Sequence, residues 1–113
     1  MINVEVYEKW MKYALIEAVK AFDAGEVPIG CIIVKDNKII GKGFNQVETL
    51  NDATAHAEMI AITSASATIN DWRLIDSFLF VTKEPCPMCA GAILNSRVKA
   101  IIYGLHDDEK GSC

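Results

Sequence analysis

Residues 78–103 constrain the fold more than any other stretch. Phe78-Leu79-Phe80-Val81-Thr82 reads as a short buried strand, Pro87 suits the first turn of a helix running to about Asn95, and Val98 to Tyr103 reads as another strand. Strand, helix and strand in that order predict a right-handed βαβ unit with parallel strands. Upstream, Gly30 to Gly43 holds two β-rich runs around Asp36-Asn37, a hairpin with Asn45 at its end and loop-like residues 46–53 after it. Tyr7, Trp10, Met11, Ala14, Leu15, Ala18, Val19 and Phe22 recur at helical spacing over residues 7–22, predicting one buried stripe with Glu17 and Lys20 largely opposite. Ala55 to about Thr68 predicts a second helix with Thr54 as its N-cap. The order α-β-β-α-β-α-β implies one domain over residues 1–113, a three-layer α/β sandwich whose sheet mixes an antiparallel hairpin with the parallel βαβ unit. If the strand at 98–103 is the last in its sheet, its unpaired edge points to a partner chain or a missing C-terminal segment.

Bulk properties narrow the function classes. No apolar run approaches the ~20 residues that span a bilayer, and Met1-Ile2-Asn3-Val4-Glu5 has no basic region leading into an apolar stretch. Both predict a cytoplasmic protein with no membrane partner, in which the four cysteines serve as thiols or ligands rather than disulfides. A net charge of −4 argues against holding nucleic acid by charge alone.

Chemistry concentrates at two helix starts. His56, in Thr54-Ala55-His56-Ala57-Glu58, opens the second helix; Cys86 and Cys89, in Glu84-Pro85-Cys86-Pro87-Met88-Cys89, open the third. With Cys86 as N-cap and Cys89 as third helical residue, the two side chains meet as those of a capping box do, and the helix dipole favours their thiolates. Adding His56 gives three ligands, the number found in catalytic zinc sites with an open fourth position. Glu58 is the natural base for a water there. Residues two apart do not share a helix face, so His56 has to lie in an irregular first turn. Two other readings stand beside this one: a dithiol redox pair, and a closed structural zinc site with Cys31, His106 or Cys113 as fourth ligand. Cys31 by itself reads as a small buried hydrophobe.

His56-Ala57-Glu58 followed by Pro85-Cys86-Pro87-Met88-Cys89 resembles the H-x-E…P-C-x-x-C signature of the zinc-dependent cytidine and deoxycytidylate deaminase superfamily. Val27-Pro28-Ile29-Gly30, Gly43-Phe44-Asn45, Asp52 through Glu58, Trp72 through Asp76 and Glu84 through Arg97 resemble the bacterial tRNA-specific adenosine deaminases in particular. The resemblance implies an α/β/α sandwich of the cytidine deaminase type, lacking the family's C-terminal elements. It implies Zn2+ held by His56, Cys86 and Cys89, with Glu58 moving protons to and from a zinc-activated water. It further implies that Asn45 and the Ala57 backbone N–H read the base, that Val27 and Ile29 wall it, and that the enzyme is a homodimer. The chain departs from the family at Ala53, at Lys83, and at Asp107-Asp108-Glu109-Lys110-Gly111, where the lysine is shifted. The resemblance assigns no role to His106, Asp107 or Cys113.

The function expected on these grounds is hydrolytic deamination of adenosine to inosine in a tRNA anticodon loop, a single-stranded target whose base can leave its stack. A free-base or nucleoside deaminase acting on cytosine, guanine or a relative is the alternative among enzymes. A non-catalytic zinc-binding module or fragment is the alternative of another class.

Overall fold

The computed structural model describes residues 4–105 of the chain. Its elements are α1 (Val4–Asp23), β1 (Gly30–Lys35), β2 (Lys38–Phe44), α2 (Val47–Leu50), α3 (Ala57–Ile69), β3 (Ser77–Lys83), α4 (Pro87–Asn95) and β4 (Ala100–Leu105). The strands form one sheet in the order β2-β1-β3-β4. β1 runs antiparallel to β2, with Ile32 opposite Lys42, and to β3, with Ile32 opposite Phe80. β3 and β4 are parallel, with Phe80 beside Ile102. The expected hairpin and βαβ unit are therefore both present. Asp36 and Asn37 turn the hairpin with φ of 52° and 61°, the paired left-handed conformation of a tight two-residue turn.

Alternation along the strands divides the core in two. Cys31, Ile33, Leu79 and Val81 face Ala57, Ala61, Ala65 and Ile93 of α3 and α4. Ile32, Val34 and Phe80 face Trp10 and Ala14 of α1. Both faces of the sheet are covered, which makes the three layers.

Helix α3 lies directly on β2. A Cβ added at Gly43 would stand 2.5 Å from the Ala57 carbonyl oxygen, and one at Gly41 2.6 Å from that of Ala61. Only glycine admits so close an approach. These contacts bring the first residue of α3 beside the end of β2 and so beside Asn45.

Five expectations shift. The buried stripe of α1 is Trp10, Ala14, Glu17, Ala18 and Ala21, whereas Leu15, Val19 and Phe22 are exposed. Small alanines let the helix sit close to the sheet, and the larger apolar residues flank that contact. Glu17 is buried rather than opposite, with Lys20 Nζ 2.7 Å from its carboxylate. Residues 46–53 contain the short helix α2 instead of a plain loop. Thr54 does not cap α3: its hydroxyl donates to Asp52 Oδ1 at 2.7 Å, and His56 takes the capping position. The last strand begins at Ala100, because Arg97 adopts φ 67° and Lys99 N–H bonds to Ser77 O before the parallel ladder starts.

Candidate metal centre and adjoining cavity

His56 and Cys86 occupy the same position in two different helices. Each is the N-cap residue in extended conformation, with φ −76° and ψ 153° for His56 and φ −72° and ψ 170° for Cys86. Neither makes a side-chain capping hydrogen bond. Their side chains turn toward each other instead. Pro87 takes the first helical position of α4, where its missing N–H costs nothing, and Cys89 falls at the third.

His56 Nδ1 lies 3.6 Å from Cys86 Sγ and 3.4 Å from Cys89 Sγ. All three ligand atoms fall within 4.8 Å of one another. Tetrahedral zinc with ordinary Zn–N and Zn–S bond lengths would separate an imidazole nitrogen from a thiolate by about 3.6 Å. The residues present therefore fit zinc in both donor type and spacing. Burial raises the pKa of the Cys89 thiol, and the nearby Glu58 and Cys86 raise it further. A bound cation offsets that cost by stabilising the thiolate.

Cys31, one of the three candidates for a fourth ligand, packs in the core cluster under α3 and is not in the ligand group. His106 and Cys113, the other two, lie outside the described residues, as does Asp107.

Glu58 is the second residue of α3 and is 4% exposed. Its Oε1 is buried and has no hydrogen-bond partner. Desolvation raises its pKa, while a backbone hydrogen bond and the neighbouring His56 act against the rise. The geometric demand set by the sequence is met: His56 precedes the regular helix, so it and Glu58 need not share a helical face.

A cavity of about 370 Å³ adjoins this group. Asn45, Val27, Ile29 and Ala57 line it together with His56, Glu58 and Cys86, while Cys89 belongs to the ligand group without lining the cavity. Backbone bonds hold its walls: Asn45 N–H donates to Ile29 O at 3.1 Å, and Gln46 N–H to Ala55 O at 2.9 Å. Sequence reasoning missed Glu26, Val47, Glu48, Lys83 and Glu84, which also line the cavity. Glu26 precedes one recognised stretch and Glu84 opens another, a signal of nearness but not of role. The wall formed by α2 was passed over because residues 46–53 carry no periodic pattern.

The cytidine and deoxycytidylate deaminase zinc-binding region matches residues 4–105. The chain is 56% identical over 99 residues to a chloroplastic tRNA(adenine(34)) deaminase from Arabidopsis thaliana, covering 88% of this chain and 8% of that one. It is 49% identical over 109 residues to a tRNA-specific adenosine deaminase from Streptococcus pyogenes, covering 96% of this chain and 69% of that one. A solved structure from work on A-to-I editing by tRNA:A34 deaminases at the wobble position superposes with a TM-score of 0.89 at 41% identity, covering 92% of this chain and 75% of that one. A guanine deaminase from Bacillus subtilis superposes with a TM-score of 0.84 at 42% identity, covering 93% and 66%.

Proposed function

Because the chain belongs to the cytidine and deoxycytidylate deaminase zinc-binding family, we propose that it hydrolyses adenosine to inosine in a tRNA anticodon loop. The observation that carries a hydrolytic reading is Glu58. A buried carboxylate oxygen without a partner costs stability, yet this one is kept beside three ligand side chains and an open cavity. Zinc held by His56, Cys86 and Cys89 would supply Lewis acidity toward water.

The chain's own residues then do the rest. Glu58 takes a proton from water and passes it to the ring nitrogen beside C6; it then takes the remaining proton from the oxygen added at C6 and delivers it to the departing amine. Water contributes its oxygen to C6, the C6–N bond breaks, and ammonia leaves. The Asn45 amide reads the base edge. The Ala57 N–H, at the first helical position, lacks an intrahelical acceptor and so is available to the ring. Val27 and Ile29 exclude water from the faces of the base.

The substrate assignment is supported by the relatives named for tRNA adenosine deamination and by the exposure of bases in single-stranded loops. The zinc-loaded chain is incubated with an anticodon stem-loop carrying adenosine at the wobble position, then nucleosides are released and weighed. Inosine is the expected product; its absence from folded, zinc-loaded protein rejects the substrate. A second reading, a free-base deaminase acting on guanine, is supported by the 42% identity to the Bacillus guanine deaminase. Ammonia release from a panel of free bases separates the two.

The same reading places one domain over residues 1–113 in the cytoplasm as a homodimer. Among the described residues no helix is long and apolar enough to cross a membrane, and β2 and β4 are the outer strands of the sheet. Sedimentation velocity tests the dimer, and a monomer at high concentration rejects it.

A further inference from the structure

We propose that Glu26 is a positioning residue that fixes one wall of the cavity and so sets how tightly the substrate base is held. The inference rests on the deaminase reading above.

Glu26 sits between α1 and β1 and is 6% exposed. Its Oε1 accepts the Glu48 N–H at 3.1 Å. Its Oε2 accepts the Thr49 N–H and the Thr49 hydroxyl, each at 2.6 Å. One carboxylate thus gathers three donors from a single four-residue helix, α2. Among the described residues no cation pairs with it, so these donors answer its charge. Buried carboxylates are retained at a cost unless hydrogen-bonded in this way.

The donors matter because of where α2 stands. Val47 and Glu48 line the cavity on one side, and Val27, next to Glu26 in the chain, lines it on another. Glu26 therefore ties two walls together through one side chain. The loop's other anchors are backbone bonds at its ends: Asn45 N–H to Ile29 O, Gln46 N–H to Ala55 O, and Ala55 N–H to Asp52 O. Between those ends, and among the described residues, Glu26 is the side chain from outside the loop whose hydrogen bonds hold α2. Without it Asn45 would keep its backbone bond while the wall beyond it swung free. Loss of that wall loosens the base but leaves Glu58 and the ligand group where they are.

The test uses Glu26→Gln and Glu26→Ala in the zinc-loaded chain, with Thr49→Val as a milder variant that removes only the hydroxyl donor. Zinc content is expected to match wild type. KM for the anticodon stem-loop is expected to rise about tenfold while kcat changes by less than about threefold. Amide exchange at Glu48 and Thr49 is expected to quicken at least about tenfold. An unchanged KM with unchanged exchange overturns the inference, and so does a fall in kcat with KM unmoved. If wild type makes no inosine, the deaminase reading fails separately. Amide exchange then decides alone: protection retained in Glu26→Ala overturns the positioning role, and protection lost sustains it.

Discussion

His56 Nδ1 stands 3.4 Å from Cys89 Sγ across 33 residues of sequence. The starts of α3 and α4, the helices before and after β3 in the chain, converge there because both helices lie on the same face of the sheet. The first expectation follows from that convergence. Wild type purified with zinc is expected to carry about one ion per chain, and His56→Ala or Cys89→Ala close to none. Elemental analysis of the purified proteins decides it, and a variant retaining full zinc would remove that residue from the ligand set.

Glu58→Gln is expected to keep its zinc while inosine formation falls by roughly 10²–10⁴-fold, the range for loss of a general acid–base group. Metal-free, the same variant is expected to be more stable than wild type by about 1 kcal/mol or more, since a buried carboxylate with one unpartnered oxygen is replaced by a neutral amide. The sign follows from burial raising the folded pKa. Metal-free wild type loses stability as pH rises from the ordinary carboxylate value toward the folded one, and the variant does not. Chelator-treated thermal melts at two pH values measure both parts.

Gly43→Ala is expected to destabilise the fold by about 1–3 kcal/mol, because its Cβ would press on the Ala57 carbonyl. Any accommodation moves the start of α3 and with it His56. Activity should therefore fall further than stability alone accounts for. Urea unfolding alongside turnover at saturating zinc tests the pairing of the two effects.

Acid lowers the hold of Glu26 on α2. The hydrogen bond from the Thr49 hydroxyl does most to depress the Glu26 pKa, the Thr49 and Glu48 N–H groups add to it, and burial acts against them. A depressed folded pKa means stability that is present above the unfolded carboxylate value, about 4.3, and is lost as pH falls through the folded value. The difference in urea midpoint between wild type and Glu26→Gln should be widest above about pH 5 and close toward acid. A gap that stays constant across that range would contradict the assignment.

The parts legible in the sequence share a physical reason. Proline at the first turn, paired left-handed residues at a hairpin and ligand spacing at helix starts are local devices, so the α4 boundaries, the Asp36-Asn37 turn and the group of His56, Cys86 and Cys89 could be read directly. Helix α1 was harder. Its periodicity was visible, but which flank of the stripe meets the sheet depends on how closely Gly30 lets the helix approach Ala14. Hydrophobicity alone favours Leu15, Val19 and Phe22, and packing distance favours the alanines. Helix α2 could not be read at all. Four residues carry no period, and what holds them is a carboxylate more than twenty residues earlier in the chain.

The uncapped starts of α3 and α4 reach beyond catalysis. Serine, threonine or aspartate in an N-cap place is worth about 1 kcal/mol to a helix, and His56 and Cys86 give up that contribution twice. A single ion joining them would act as a common clasp for both helices, adding free energy that grows with the logarithm of metal concentration. Under zinc starvation the same two helix starts would fray first and open the chain to proteases. The protein's lifetime in a cell would then follow the metal supply, so that copies unable to react are also the copies removed soonest.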